Sequence, residues 1–245
     1  MTTNYSDHAM VWDWDGYDNT PEYEYWCTYA KVYGNNVLIP MCALGQTGAY
    51  MAKKGFNVMA FDYTPEMIAE GKKRFGSVKN LELVCADICN FSHRETGFDF
   101  VFTMDLQLLD SMDKIKKALL SLSRHTRKGG CLVIEIGLPS KESWESPARV
   151  FHPRKANYTD KKIWKEGRNR YDASTKIHHI DQIIFIEDER GTTQINHSIK
   201  LYHYERDELV QALRESGYSI NSEYSNRDKQ PWKPGESTWI VEAIL

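Results

Sequence analysis

Short apolar runs alternate with amphipathic stretches over the first 137 residues of the chain. The apolar runs are bounded by turn residues, which is typical of buried strands. Strands that alternate with helices predict a mostly parallel sheet with helices on both faces. The predicted strands are residues 37–40, 58–61, 81–84, 98–103 and 131–136, and the predicted helices are residues 21–33, 49–54, 65–75 and 112–124.

The pattern changes after about residue 138. Residues 139–160 contain Pro, Ser and Lys and predict a loop, whereas residues 161–204 are strand-like and predict an inserted antiparallel layer. The fold class is therefore α/β, with a seven-stranded, mostly parallel sheet and an inserted antiparallel β layer. The elements predicted here are strands at residues 176–187 and 193–203 with a turn at 189–191, a helix at 206–216, and a closing hairpin of strands at 218–225 and 237–244.

Composition narrows the functional classes. The chain is 41% hydrophobic and 27% charged, which is ordinary for a globular protein. Its net charge of -3 offers no basic surplus for phosphate contacts, so nucleic acid is not an expected partner. No apolar run approaches the roughly 20 residues of a membrane span, and the first residues do not resemble a signal peptide. The five cysteines are scattered and lack metal-ligand spacing, so we expect reduced thiols in a cytoplasmic protein and no metal site.

Chemistry-bearing residues follow the predicted strands. Gly45, Asp62, Asp87 and Asp105 each lie at or just past a strand end. Because ligands of such sheets bind outside the carboxyl ends of the strands, these residues are expected on one rim. A tight turn at residues 41–48 lets backbone amides approach a ligand, and an acid after the second strand can accept hydrogen bonds from two ribose hydroxyls.

These motifs together resemble class I S-adenosylmethionine-dependent methyltransferases. The segments that carry the resemblance are FDYTPEMI from residue 61, LVCADI from residue 83, FDFVFTMD from residue 98 and LSLSRHTRKGGCLVIE from residue 120. The resemblance covers about residues 20–137 and 205–244. It implies a Rossmann-like cofactor-binding domain over residues 35–138 and 205–245, with S-adenosyl-L-methionine as cofactor and S-adenosyl-L-homocysteine as product.

The resemblance also implies a set of cofactor contacts. Asp62 would accept from the ribose, and Asp87 would hold the adenine amine with Ile88 beside the ring. Tyr63 and Met67 would flank ribose and adenine. The methionine part and the pocket floor would be lined by Met41, Ala43, Gly45, Thr103 and Met104.

The first motif departs from the family pattern. Ile39 replaces the usual acid, Met41 and Ala43 replace the first two glycines, and Gly45 alone remains. An alanine is small at the closest approach, and Met41 is acceptable if its φ stays negative. The alternative function is a non-catalytic, cofactor-sensing or partner-binding protein on this fold.

The aromatic N-terminus, residues 1–34, resembles the opening of small-molecule N-methyltransferases, including the deoxyaminosugar N,N-dimethyltransferases. Trp12-Asp13 and Tyr23 match the family positions, and Tyr17 is a candidate catalytic residue. In that subgroup the segment folds over the cofactor, and aromatic rings with carboxylates suit a sulfonium or ammonium cation. The alternative is that the aromatic rings of this helix, such as those of Tyr23 and Trp26, are core packing.

The inserted layer, residues 139–204, corresponds to the substrate-covering strands of the same subgroup. His197 and His203 lie on its otherwise apolar face and are candidates to take a proton from an ammonium substrate. The alternative is that both are core or interface histidines. The expected function is methyl transfer to a small-molecule acceptor, first an amine, with oxygen and thiol acceptors open. A protein or RNA methyltransferase is a third reading, and the exposed strand layer could pair with a second copy.

Overall fold

The computed structural model describes residues 9, 18–94, 97–104, 106–138, 146–151 and 162–245. Within these residues the chain forms two sheets and five α-helices. The helices are α1 (Thr20–Tyr33), α2 (Gln46–Lys53), α3 (Pro65–Phe75), α4 (Met112–Ser123) and α5 (Arg206–Glu215). The strands are β1 (Asn36–Pro40), β2 (Asn57–Asp62), β3 (Leu81–Cys85), β4 (Phe98–Thr103), β5 (Thr126–Gly137), β6 (Ser146–Phe151), β7 (Lys162–Asp172), β8 (Ile177–Asp188), β9 (Gly191–Tyr202), β10 (Ser219–Tyr224) and β11 (Thr238–Ile244).

The larger sheet has seven strands in the order β10-β11-β5-β4-β1-β2-β3. Strands β1 to β5 are parallel, and β10 and β11 add an antiparallel hairpin beside β5. The strand order reverses between β1 and β4, which is the switch point where α/β sheets bind ligands. The predicted α/β fold with an inserted antiparallel layer is confirmed.

Each face of this sheet has its own apolar core. One core lies under α4 and α5, and the other lies under α1, α2 and part of α3. Adjacent residues of one strand enter opposite cores because side chains alternate along a strand, as Val37 and Leu38 do in β1. Burial on both faces explains why the sequence shows continuous apolar runs here.

The second sheet is the inserted layer, in the order β6-β7-β8-β9. Glu189 and Arg190 form the turn between Asp188 and Gly191, which pair across β8 and β9, as the sequence predicts. The predicted loop at residues 139–160 is wrong in part, because β6 lies within it and pairs with β7. This strand is short and begins with Ser-Pro, so its apolar signal is weak.

Helix α1 is fixed on the larger sheet by rings and by charge. Trp26 is fully buried and stacks on Phe102 with ring centroids 4.3 Å apart. The Arg227 guanidinium binds Glu135 of β5 at 3.0 Å and Glu22 of α1 at 2.9 Å. The core-packing interpretation therefore holds for Trp26. Among the described residues, no helix is long and apolar enough to cross a membrane.

Helix α3 approaches the loop after β1 through a glycine. A Cβ on Gly71 would overlap the carbonyl oxygen of Leu44 and lie 3.3 Å from Cδ1 of Leu83. Alanine normally favours a helix, but a Cβ at position 71 would force the backbone of Leu44 or of α3 to move. We therefore expect Gly71→Ala to lower the free energy of unfolding by about 1–3 kcal/mol. Denaturant unfolding measures this loss. Lys72→Ala, at an exposed position of the same helix, is the control, and an equal effect of both changes would contradict the close approach.

Candidate functional site

A cleft of about 790 Å³ lies at the carboxyl edge of the larger sheet. This volume is in the range of small-molecule binding sites. Its walls come from the turns after β1, β2 and β3, from α4 and the turn before it, and from one residue of β9. The lining residues used below are Met41, Ala43, Asp62, Tyr63, Met67, Asp87, Ile88, Cys89, Asn90, Asp110, Lys114, Lys117, Leu120, Arg124 and Lys200.

Asp62 ends β2 and braces two turns at once. Its Oδ2 accepts from the backbone N–H of Ala43 at 3.0 Å, and its Oδ1 accepts from that of Thr64 at 2.9 Å. Only 9% of its surface is exposed, and this burial raises the pKa of the carboxyl although the N–H donors oppose the rise. Each carboxylate oxygen has a second lone pair, so Asp62 can also accept two hydroxyl hydrogen bonds.

The turn after β1 contains three residues in the left-handed region. The φ angles are +55° at Met41, +49° at Ala43 and +80° at Gly45. The condition under which Met41 is acceptable, a negative φ, is therefore not met. A non-glycine residue in this region costs about 1–2 kcal/mol, and the Asp62 bond to Ala43 offsets part of that cost. The chain thus adopts a glycine-type turn without two of the glycines.

Asp87 follows β3 and caps a short 3-10 helix, Ile88–Asn90. Its Oδ1 accepts from the backbone N–H of Cys89 at 2.9 Å. Ile88 is buried and lines the cleft beside it. An exposed carboxylate next to an apolar side chain suits a ring that carries an amino group.

Most predicted cofactor residues meet in this cleft. Tyr63 and Met67 lie on its wall from the β2–α3 connection, and Tyr63 is 55% exposed. The members that line the cleft are Met41, Ala43, Asp62, Tyr63, Met67, Asp87 and Ile88. The predicted cofactor residues outside its lining are Tyr23, Gly45, Thr103 and Met104, and the catalytic candidates His197 and His203 are also outside it.

The residues outside the lining have identifiable positions. Gly45 caps α2, where a Cβ would lie 2.5 Å from Cδ2 of Leu83. Tyr23 faces Tyr50 with ring centroids 5.4 Å apart. Thr103 is 2% exposed, and the sulfur of Met104 accepts from Arg227 at 3.9 Å. The floor role of Thr103 and Met104 is therefore not supported by this cleft.

Tyr17, Trp12, Asp13 and Asp105, which the sequence singled out, lie outside the described residues.

The antiparallel layer reaches the cleft through its polar face. Lys200 of β9 lines the cleft, whereas His197 and His203 alternate onto the other face. His203 lies near His178 and Tyr171, with ring centroids 5.8 and 5.6 Å apart. Burial lowers the pKa of both His197 and His203 to about 4, so both imidazoles are neutral at pH 7. Their catalytic role stays a prediction.

Sequence reasoning missed the α4 wall of the cleft. Lys114, Lys117 and Arg124 recur at spacings of three and seven residues, so they share one side of the helix. That spacing is visible in the sequence, but the helix was predicted from its apolar face alone. The described residues include no group of His, Cys, Asp and Glu that could hold a metal ion.

The family comparison and the structural comparison agree with this geometry. Residues 37–130 match a family model described as a methyltransferase domain. This region runs from β1 into β5 and contains the turns that line the cleft. No curated protein matches the sequence of the chain.

Solved structures resemble nearly the whole chain. An S-adenosylmethionine-dependent methyltransferase from Clostridium acetobutylicum is 16% identical with a TM-score of 0.81, and 98% of each chain is covered. The sugar N-methyltransferase KedS8 from Streptoalloteichus is 15% identical with a TM-score of 0.77, covering 98% of this chain and 93% of that chain. The amino pentose methyltransferase CalS10 from Micromonospora echinaspora, solved with S-adenosylmethionine bound, is 15% identical with a TM-score of 0.72, covering 99% and 98%.

Residues 37–130 therefore match a methyltransferase domain, and the chain has the fold of the S-adenosylmethionine-dependent methyltransferases. The resemblance inferred from the sequence is confirmed by the matching domain and by the fold.

The strained turn predicts an unusual effect of glycine. We expect Ala43→Gly to raise the free energy of unfolding by about 0.5–1 kcal/mol, because relief of the left-handed backbone exceeds the added freedom of the unfolded chain. Thermal or denaturant unfolding measures the change. Ala49→Gly, in the right-handed backbone of α2, should instead cost about 1 kcal/mol. A loss of stability at both positions would contradict the assigned strain.

His197 predicts a pH dependence of stability. Its pKa of about 4 lies below the ordinary 6.5, so the unfolded chain binds the proton first as pH falls. Stability is then fully present above pH 6.5 and decreases towards pH 4, by about 3 kcal/mol for this buried ring. We expect His197→Leu to flatten this part of the stability curve. His179→Leu, on the opposite face of β8, should flatten it less, and an equal effect would contradict the assignment.

Proposed function

We propose that the chain is an S-adenosylmethionine-dependent methyltransferase that acts on a small molecule, first of all an amine. The observation that carries this proposal is Asp62, a buried carboxylate at the end of β2 that faces the cleft with both oxygens ordered by backbone N–H donors. A ribose with two free hydroxyls is the ligand fragment that matches such an acceptor.

The residues of the cleft fit the cofactor part by part. Asp62 would hold the ribose, and Asp87 with Ile88 would hold the adenine. Tyr63 and Met67 would cover the nucleoside, and the turn at Met41–Gly45 would face the methionine part. When bound, S-adenosylmethionine supplies an activated methyl group on sulfur. The protein's contribution would be to position the acceptor in line with that methyl group and to exclude water.

An amine acceptor is supported by two independent likenesses. The N-terminal segment resembles that of small-molecule N-methyltransferases, and KedS8 and CalS10 are a sugar N-methyltransferase and an amino pentose methyltransferase. Tyr17 is the candidate on the acceptor side and Tyr23 is a candidate cofactor contact, and His203 and His197 are the candidates from the sequence for taking the proton of the ammonium group. A histidine with a pKa near 4 is a weak proton acceptor, so loss of the proton to water before binding is the simpler route. A homodimer and a cytoplasmic location belong to the same proposal.

The strained turn favours one alternative, a non-catalytic protein that keeps the fold. Met41 and Ala43 place side chains where the family usually has none. The brace from Asp62 to Ala43 nevertheless keeps the turn in the conformation that a glycine loop adopts. Binding of the cofactor separates the enzyme from a partner-binding protein, and methyl transfer to an acceptor separates it from a cofactor sensor.

Titration calorimetry with S-adenosylmethionine and S-adenosylhomocysteine is the test. We expect micromolar binding of both, and a loss of about a hundredfold or more in Asp62→Ala, because two hydroxyls lose a charged acceptor. Asp62→Asn should also bind both ligands weakly, because its amide N–H₂ would face one of the two backbone N–H groups, and two donors form no hydrogen bond. No binding of either ligand by the unaltered protein would reject the enzyme and leave the non-catalytic alternative.

The Asp62 variants need a control for folding, because the same side chain braces both turns. Thermal unfolding of Asp62→Ala should show lowered but cooperative stability. Asp110→Asn removes a cleft carboxylate that pairs with Lys114 and leaves the turns intact. If Asp110→Asn weakened binding as much as Asp62→Ala, the ribose assignment would be wrong. Positive binding then justifies a screen of amines and amino sugars for methyl transfer.

A further inference from the structure

The outer part of the cleft is positively charged. Lys114, Lys117 and Arg124 line it from α4, and Lys200 lines it from β9. The acid of this part is Asp110, which pairs with Lys114 at 2.9 Å. Among the described residues, no carboxylate lies within 4.0 Å of the charged groups of Lys117, Arg124 or Lys200. This local charge opposes the net charge of -3 of the whole chain.

The cations are arranged on two walls. Lys117 and Arg124 are seven residues apart on one side of α4, so their backbones are about 10 Å apart along the helix. Leu120 lies between them and is 44% exposed, which is unusual for a leucine on this protein. Lys200 lines the same cleft from the antiparallel layer. Side chains of this length can converge on one group that carries several negative charges.

The proposed cofactor does not account for these cations. S-adenosylmethionine carries a sulfonium, an ammonium and one carboxylate, so it is itself a net cation. Its ribose and adenine would be held by Asp62 and Asp87, which are acids. The positive side chains beside the adenine end are therefore complementary to a different, negatively charged ligand.

The charged wall is close to the adenine end of the cleft and remote from the turn after β1. Helix α4 packs directly on the Ile88–Asn90 turn, since the thiol of Cys89 contacts the carbonyl oxygen of Lys114 at 3.6 Å. The ends of β1, β2 and β3 follow one another along the sheet edge, so Asp62 at the end of β2 separates the turn at Met41–Gly45, which would face the reacting methyl group, from the turn after β3. A ligand on α4 would therefore border the adenine without reaching the methyl group.

We propose that the outer part of the cleft is a second ligand site, which binds a polyphosphate group between α4 and β9. Arginine and lysine with free N–H donors are the side chains that bind phosphate oxygens. Because Lys200 belongs to the inserted layer and Lys117 to the cofactor domain, the ligand joins the two parts of the protein. Its occupancy would then change the affinity of the neighbouring nucleoside subsite.

Titration calorimetry of the full chain with pyrophosphate, without any methyl donor, tests the site. We expect binding that weakens about fivefold for each of Lys117→Ala, Arg124→Ala and Lys200→Ala. Lys116→Ala is the matched control, because Lys116 lies on the same helix but pairs with Glu215 and stays outside the cleft. The variants are at polar positions of the surface, and thermal unfolding verifies that each one folds.

Parallel titrations with inorganic phosphate, pyrophosphate and ATP distinguish a free polyphosphate from a nucleoside polyphosphate as the ligand. Equal affinity for pyrophosphate and ATP supports a site for free polyphosphate, and tighter ATP binding with the same losses in the variants supports a nucleoside polyphosphate. No heat with pyrophosphate at about 10 mM would overturn the proposal. An equal loss in Lys116→Ala, or binding of polyuridylate in place of pyrophosphate, would overturn it as well. The outcome does not depend on whether S-adenosylmethionine binds.

Discussion

The carboxylate of Asp62 holds together the two turns on which the cleft depends. One oxygen is bonded to the turn after β1 and the other to the start of α3. Since Ala43 and Asp62 are 19 residues apart in the chain, this bond fixes two distant segments relative to each other. The group is buried and its pKa is raised, so the fold keeps a costly charge at the place where a ligand would use it.

This brace explains how the turn after β1 tolerates Met41 and Ala43. Left-handed backbone at both positions is unfavourable for residues with a Cβ, and the chain has kept a glycine only at Gly45, where a Cβ would collide with Leu83. Gly71 allows α3 to approach the same turn from the other side. Glycine therefore occurs where two segments approach each other closely, and a residue with a Cβ adopts left-handed backbone where a hydrogen bond offsets part of the cost.

The sequence was sufficient for the larger sheet because its strands are continuous apolar runs bounded by turn residues, as in β1 and β4. It was also sufficient for Asp62 and Asp87, since position at a strand end is a property of chain order. It could not yield the φ angles of Met41 and Ala43, which a contact with a distant carboxylate imposes. It also missed strand β6, whose apolar signal is weak. It did not identify the face of β9 that lines the cleft, because the alternation of apolar and polar residues separates two faces without indicating which one meets a neighbouring domain.

The distribution of charge along the cleft gives its two ends different chemistry. The end at the β2 and β3 termini presents acids held by backbone N–H groups, and these can accept hydroxyl and amino donors. The end at α4 presents Lys117, Arg124 and Lys200, whose charges face solvent without a carboxylate partner within the described residues. A single uncharged or cationic ligand can satisfy the first end and leaves the second unused. A cleft with this division is therefore better matched to two ligands of opposite character, and the net charge of the chain conceals that property because it averages over both ends.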